Sequence, residues 1–281
     1  MEPFILFPFL SDIKSDIDML HSSLKSAGLI SLIAEPKLDQ VISLSLLESS
    51  FIDNGISYKR IIVNDVQELS GHKDGLSIYF SKPLEIKNSV IFIEPRQITV
   101  NMGQNNSPRN GIIDMVIFSG CLALQIGGER INKLIPLIIS GNWLSSNLDY
   151  TYDPVFTILR DTLEKMGIIS VVSIVEVNDL DFLDLPGIDI IKLNELKKRW
   201  NMIDLSEQSE KLSEIVLSLL KSSLGVARLE ELIWHRILQK EWDSDLASQC
   251  SRIQRELRSS DNKVRFAGEL VDKIIKTGTL I

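Results

Sequence analysis

The residues able to do chemistry gather at three places, each at the end of an apolar stretch of strand length. Glu35-Pro36-Lys37-Leu38-Asp39-Gln40 closes the run Leu29 to Glu35. Ser81-Lys82-Pro83 closes Leu76 to Ser81, and Glu94-Pro95-Arg96 closes Val90 to Glu94. In an open parallel sheet, ligands and reacting groups lie beyond the carboxyl ends of the strands, so these clusters form the candidate site. The plainer role of Glu35-Pro36 and Glu94-Pro95 is to end a strand, since proline cannot donate to the ladder. A fourth cluster is basic. Arg252, Arg255 and Arg258 recur every three residues, and residues 250–281 hold seven basic side chains against four acidic ones. A stripe of this kind is most simply a solvated helix face; if it meets nucleic acid, the contact must weaken steeply with salt. Phe266 is the one aromatic ring among these residues, so the stacking platform of a single-strand binder is thin.

Other reagents are scarce. His21, His72 and His235 lie far apart in sequence, and Cys121 sits in an apolar run as a small core residue would. There is no G-x-x-x-x-G-K-[ST], no G-x-G-x-x-G after the first strand and no G-x-S-x-G elbow. The familiar phosphate cradles and hydrolase nucleophiles are therefore missing.

The elements that must position the clusters can be read from period and breakers. Ile13, Ile17, Leu20 and Leu24 predict a helix over Ser11 to Ala27, which Gly28 stops. The apolar run Leu29 to Glu35 is a buried strand. Leu38 to Asn54 is a second helix, with Val41, Leu44, Leu47 and Phe51 on one face, and Tyr58 to Val63 is a β-branched strand. Together they have the length of a right-handed βαβ crossover. Strands at Leu76 to Ser81 and Val90 to Glu94 follow, then a polar loop from Asn101 to Gly111. The apolar segment from Ile112 to Ile126 carries Gly120, which weakens a helix assignment, and Ile131 to Ile139 is buried in any state. Val155 to Met166 reads as helix and Ile168 to Val177 as strand. Helical periodicity then dominates: Ser206 to Ser222, Val226 to Trp242, Leu246 to Arg258 and Asn262 to Lys276. The expected fold class is α/β, a parallel sheet flanked by helices followed by a mainly helical C-terminal part. The expected division is residues 1–150 and 151–281, with α/β character continuing to about residue 205.

Composition narrows the class further. The chain has 281 residues, 44% apolar, with 38 acidic and 30 basic side chains for a formal charge of −8. That is enough to bury a core and too apolar for disorder. Two cysteines cannot build a disulfide framework or a four-thiolate zinc site. Net negative charge argues against a protein coated in basic surface for gripping DNA unaided. Pro3 to Leu10 is apolar but short, carries two prolines and lacks a basic leader, so it is not expected to be a signal peptide. Leu134 to Gly141 and Gly167 to Val177 fall below the roughly 18 apolar residues of a spanning helix. A soluble, intracellular and nucleoid-associated protein with no membrane contact is the expectation.

The frame of the first half resembles the DHH phosphoesterase superfamily, which includes the RecJ single-strand exonucleases. That family reads H-P-D-A-D-G after its first strand, has a second strand ending in Asp, and places D-H-H after a later strand. Here Glu35 stands at the His, Pro36 is kept, Lys37 replaces the first Asp, Asp39 keeps the second, and Gln40 replaces the Gly. Ser81 falls at the metal-binding Asp of the second motif, and Glu94, Pro95 and Arg96 occupy the D-H-H positions. A fourth family carboxylate belongs near Gly141 to Ser145, and none occurs before Asp149.

The departures decide what the resemblance implies. A two-metal phosphodiesterase needs converging carboxylates and imidazoles. The surviving family ligands reduce to Asp39, with Glu94 or Glu35 as further candidates. Lys37 would place an ammonium where a divalent cation should sit, with Arg96 as a second positive charge nearby. At about 4 Å like charges repel by roughly 4 kcal/mol at an effective dielectric near 20. Lys37 is expected to pair with Asp39 or Glu94 and close the old cleft. No catalytic residue, metal or cofactor is then expected. A RecJ-like branch of the superfamily, including Cdc45-like and archaeal RecJ-like proteins, has lost its catalytic residues and serves as a structural cofactor of the replicative helicase. Resemblance to that branch, in its archaeal form, implies the GINS complex and the MCM helicase as partners, with weak single-stranded DNA contact through Arg252, Arg255 and Arg258. Leu232, Ile233, Trp234, Ile237, Leu238 and Trp242 read first as core, with an interface as the alternative. The competing reading is an active or weakly active metal-dependent phosphoesterase on single-stranded nucleic acid.

Overall fold

The structure is a computed structural model that describes residues 2–69, 75–83, 89–103, 105–144, 153–181, 185, 187–217, 219 and 226–281. A short helix α1 (Pro3–Leu6) and a 3-10 segment lead into α2 (Lys14–Ser26). Strand β1 (Ile30–Ala34), helix α3 (Leu38–Asp53) and strand β2 (Tyr58–Ile62) form the expected crossover, and β3 (Leu76–Tyr79) and β4 (Val90–Phe92) complete a parallel sheet in the order β2-β1-β3-β4. All five residues of β1 are buried, as a central strand covered on both faces requires.

The segment read as a polar loop is instead an antiparallel hairpin, β5 (Arg96–Met102) and β6 (Ser107–Ile113). Alternation explains it. Ile98 and Val100 point inward while Gln97, Thr99 and Asn101 face outward, and Gly103 and Asn106 take the positive φ that the turn demands. Next come α4 (Met115–Ile126), α5 (Arg130–Leu134), a 3-10 turn over Ile135–Ile139, and α6 (Ser140–Leu144). Helix α4 forms despite Gly120, because a Cβ there would lie 2.6 Å from Ile138 Cγ1. Close approach outweighs the glycine's cost, roughly 1 kcal/mol in a helix.

The remaining elements are α7 (Pro154–Lys165), β7 (Ser170–Val172), α8 (Ile190–Arg199), α9 (Leu205–Leu217), α10 (Val226–Trp234), β8 (Arg236–Leu238), α11 (Leu246–Ser259) and α12 (Lys263–Thr277). The helix expected over Val226 to Trp242 ends at Trp234, and Arg236–Leu238 pairs antiparallel with β7. Part of the expected helix Ser206 to Ser222 lies outside the described residues. No helix among the described residues is long and apolar enough to cross a membrane.

Contacts divide the chain into two units. The first comprises Met1–Leu144, Asp153–Thr162 and Ile253–Ile281, and the second Ser145–Tyr152 and Leu163–Arg252. In the first, α3 is buried along nearly its whole length, with α4 and α12 packed against it. Its serines permit this: Ser45 and Ser49 donate to carbonyls of their own helix, and Ser50 donates to Ala123 O on α4 at 2.8 Å. Arg60 of β2 forks onto Glu48 of α3 at 2.7 and 2.6 Å, donates to Gly268 O at 3.1 Å, and reaches Asp272 of α12 at 2.7 Å. The second unit is centred on a fully buried pair, Arg236 and Asp245 at 3.1 Å, with Asp245 also accepting from Ala247 and Ser248 N–H. Leu232, Ile233 and Ile237 are core here, and Trp234 and Trp242 are half-buried.

Candidate functional site

Register brings the first two clusters together. Ile33 of β1 lies beside Tyr79 of β3, so two residues on, Glu35 stands beside Ser81. The Ser81 hydroxyl donates to Glu35 Oε2 at 2.6 Å and accepts from Gln40 Nε2 at 2.7 Å. Gln40 Oε1 in turn accepts the Glu35 N–H at 2.7 Å. A closed three-residue ring results. Glu35 Oε1 also accepts the Val66 N–H at 3.2 Å.

Lys37 is the N-cap residue of α3, and its ammonium rests on Glu35 Oε2 at 2.6 Å rather than on Asp39 or Glu94. Burial works to raise the Glu35 carboxyl. The hydrogen bonds from Lys37, Ser81 and Val66 outweigh it and hold the group below the ordinary carboxylate range.

The third cluster goes elsewhere. Arg96 opens β5 and its guanidinium pairs with Asp16 of α2, 5.1 Å from the centroid of the Phe118 ring. The expected repulsion between Arg96 and Lys37 is therefore replaced by an ion pair and a cation–π contact for Arg96. Glu94 and Pro95 are exposed just beyond β4. His72, Ser145 and Asp149 lie outside the described residues.

Asp39 is half-buried in the first turn of α3, where Oδ1 accepts the Gln40 N–H at 2.9 Å; burial raises its carboxyl. Two further aspartates belong to the same electrostatic neighbourhood. Asp114 caps α4, with Oδ1 accepting Val116 and Ile117 N–H at 2.8 and 2.9 Å, and its Oδ2 is buried without a hydrogen-bond partner. Burial of the carboxyl, with added repulsion from Asp39 and Asp153, pushes its pKa up to about 7. Asp153 caps α7 through Val155 and Phe156 N–H and accepts the Ile112 N–H at 3.0 Å. Sequence reasoning missed Asp114, whose signal is an aspartate just before an apolar helical run. Among the described residues, no three His, Cys, Asp or Glu side chains are placed to share a metal ion.

The basic stripe splits between two settings. Arg252 is engaged by Asp179, whose Oδ1 accepts from Nη2 at 2.8 Å. Arg255 is exposed. Arg258 lines a cavity of about 280 Å³ at the start of α3, with Lys37, Asp39 and Lys263. A period of three drifts by about 60° per step around an α-helix, so such residues cannot stay on one line. Lys263, like Asp114, is a residue that sequence reasoning did not single out, and Gln40 entered it only as the replacement of the family's Gly.

The fold defines a class first: an α/β protein built on a four-stranded parallel sheet flanked by helices, with a mainly helical C-terminal part. Among solved structures the chain is similar to the crystal structure of CDC45 from Entamoeba histolytica, with a TM-score of 0.58 and 13% sequence identity. The match covers 94% of this chain and 68% of that one. At that identity the likeness is one of fold. No protein-family model matches the sequence, and no curated protein is detectably similar to it.

Proposed function

We propose that this chain is a non-catalytic, CDC45-like replication factor of archaeal type, descended from a RecJ-like phosphoesterase. Its work is to hold the GINS complex and, through it, the MCM helicase. The observation that carries the reading is the Glu35–Ser81–Gln40 ring with Lys37 seated on Glu35. Side chains at the strand ends satisfy one another, and Lys37, at the motif position where the family it resembles has its first Asp, is paired with Glu35. The fold likeness to CDC45 over 94% of the chain supports the same reading. An active phosphoesterase requires the opposite electrostatics, with carboxylates free to bind divalent ions and orient water.

The test is gel filtration of the purified chain mixed with purified GINS from the same source. Co-elution as a stoichiometric complex is expected, and separate elution at micromolar concentrations overturns the reading. Incubation with labelled single-stranded DNA and manganese addresses the competing activity. Intact oligonucleotide is expected, and cleavage that survives repurification would establish the phosphoesterase instead.

A further inference from the structure

The cavity at the start of α3 has a charge that the helicase reading does not use. Its volume is about 280 Å³, and it lies wholly within the first unit. Among the described residues, three cations line it, Lys37, Arg258 and Lys263, against one carboxylate, Asp39. Asp39 turns Oδ1 to its own backbone neighbour, the Gln40 N–H. Lys37 is shared with Glu35, whereas Arg258 and Lys263 form no ion pair among the described residues. In a chain with eight more acids than bases, a pocket whose Lys37 is matched by Glu35 and whose Arg258 and Lys263 face the single carboxylate of Asp39 keeps a surplus positive charge and is set up for an anion.

The rest of the lining says what carries that anion. Pro36, Leu38, Leu144 and Leu257 supply aliphatic walls, and among the described residues that line the pocket none carries an aromatic ring to stack a base. The volume falls just under the range of about 300–1,000 Å³ that encloses a whole small-molecule ligand. It suits one side chain entering from a larger partner. A phosphate monoester brings close to two negative charges and three acceptor oxygens, the complement of a Lys/Arg cluster.

We propose that this pocket binds a phosphorylated serine or threonine side chain of a partner protein, with Lys37, Arg258 and Lys263 on the phosphate and the aliphatic wall under the peptide. The inference does not rest on the helicase reading, so failure of either leaves the other standing.

The test is calorimetric titration of the full chain at low salt with a capped Ala-Ala-phosphoserine-Ala-Ala peptide, its unphosphorylated twin, inorganic phosphate and AMP. Saturable binding of the phosphopeptide alone of the two peptides is expected, with inorganic phosphate competing and AMP no tighter than inorganic phosphate. The double variant Arg258→Ala/Lys263→Ala, both side chains exposed, should lose about tenfold or more in affinity with an unchanged melting temperature. Equal binding of both peptides, or undiminished binding by the double variant, overturns the proposal. AMP binding tenfold tighter than the phosphopeptide also overturns it and assigns the pocket to a nucleotide.

Discussion

Gln40 does more at the strand ends than its polar, uncharged side chain suggests. It accepts from one cluster and donates to another, and it is itself buried. Gln40→Ala strands the Glu35 N–H and opens the ring, so a loss of about 1–3 kcal/mol in urea denaturation is expected. The Ser81→Ala change removes one donor to a carboxylate that keeps Lys37 and Val66, and its cost should be smaller. Asp114 yields a pH effect of defined sign. Its carboxyl, at 3.8 in an unfolded chain, is pushed up to about 7 by burial, so the folded state holds a proton that the unfolded state has lost across that interval. Its contribution to stability therefore declines as pH climbs from 3.8 towards 7 and levels off above. The Asp114→Asn variant keeps an oxygen for the two α4 N–H groups and cannot ionise. Urea midpoints at pH 5 and pH 8 should converge in this variant relative to the parent, and an unchanged difference would contradict the assignment. Glu35 runs the other way, because its carboxyl is held low: its contribution is present above the ordinary value of 4.5 and is lost as pH falls through the lowered one.

At the scale of elements, a polar tie joins β2, α3 and α12. Glu48 is fully buried beneath the Arg60 fork. Burial and the Glu48 carboxylate to which it donates raise the phenol of Tyr58, whereas burial works to lower the Arg60 guanidinium and its hydrogen bonds to Glu48 and Asp272 outweigh that and raise it. Arg60→Ala leaves a buried carboxylate uncompensated and should cost about 3–5 kcal/mol. Asp272→Ala removes an exposed partner and should cost under about 1 kcal/mol. Chemical denaturation of the two variants separates them. The crossover β1–α3–β2 was legible because Gly28, Pro36 and Gly55 punctuate runs of unambiguous period. The β5–β6 hairpin was not, since asparagines and glycines masked an alternation carried only by Ile98 and Val100. Arg236–Leu238 was hidden because Ile237 and Leu238 fit a helical stripe as well as a strand. At the site, strand ends marked Glu35, Lys37 and Ser81 for scrutiny. The return of Arg258 and Lys263 to Lys37 was invisible, because more than two hundred residues of intervening chain leave no local pattern of such a meeting.

For the whole molecule, the net charge of −8 sets the terms of any contact with nucleic acid. Arg252 is already occupied by Asp179, which withdraws one of the three stripe cations from such a contact. Affinity for single-stranded DNA is expected to be weak and to fall by an order of magnitude or more between about 50 and 200 mM salt. Fluorescence anisotropy with a labelled oligonucleotide checks this, and salt-independent binding would contradict it. The arrangement of α12 against α3 also bears on synthesis. Translation at about 5–20 residues per second separates the emergence of these two helices by roughly ten to forty seconds. Throughout that delay a nascent chain shows the ribosome's surroundings a greasy helix with its cover not yet made. Cells that produce this protein in quantity must shelter that surface during elongation, and slow codons before residue 263 would lengthen the exposure.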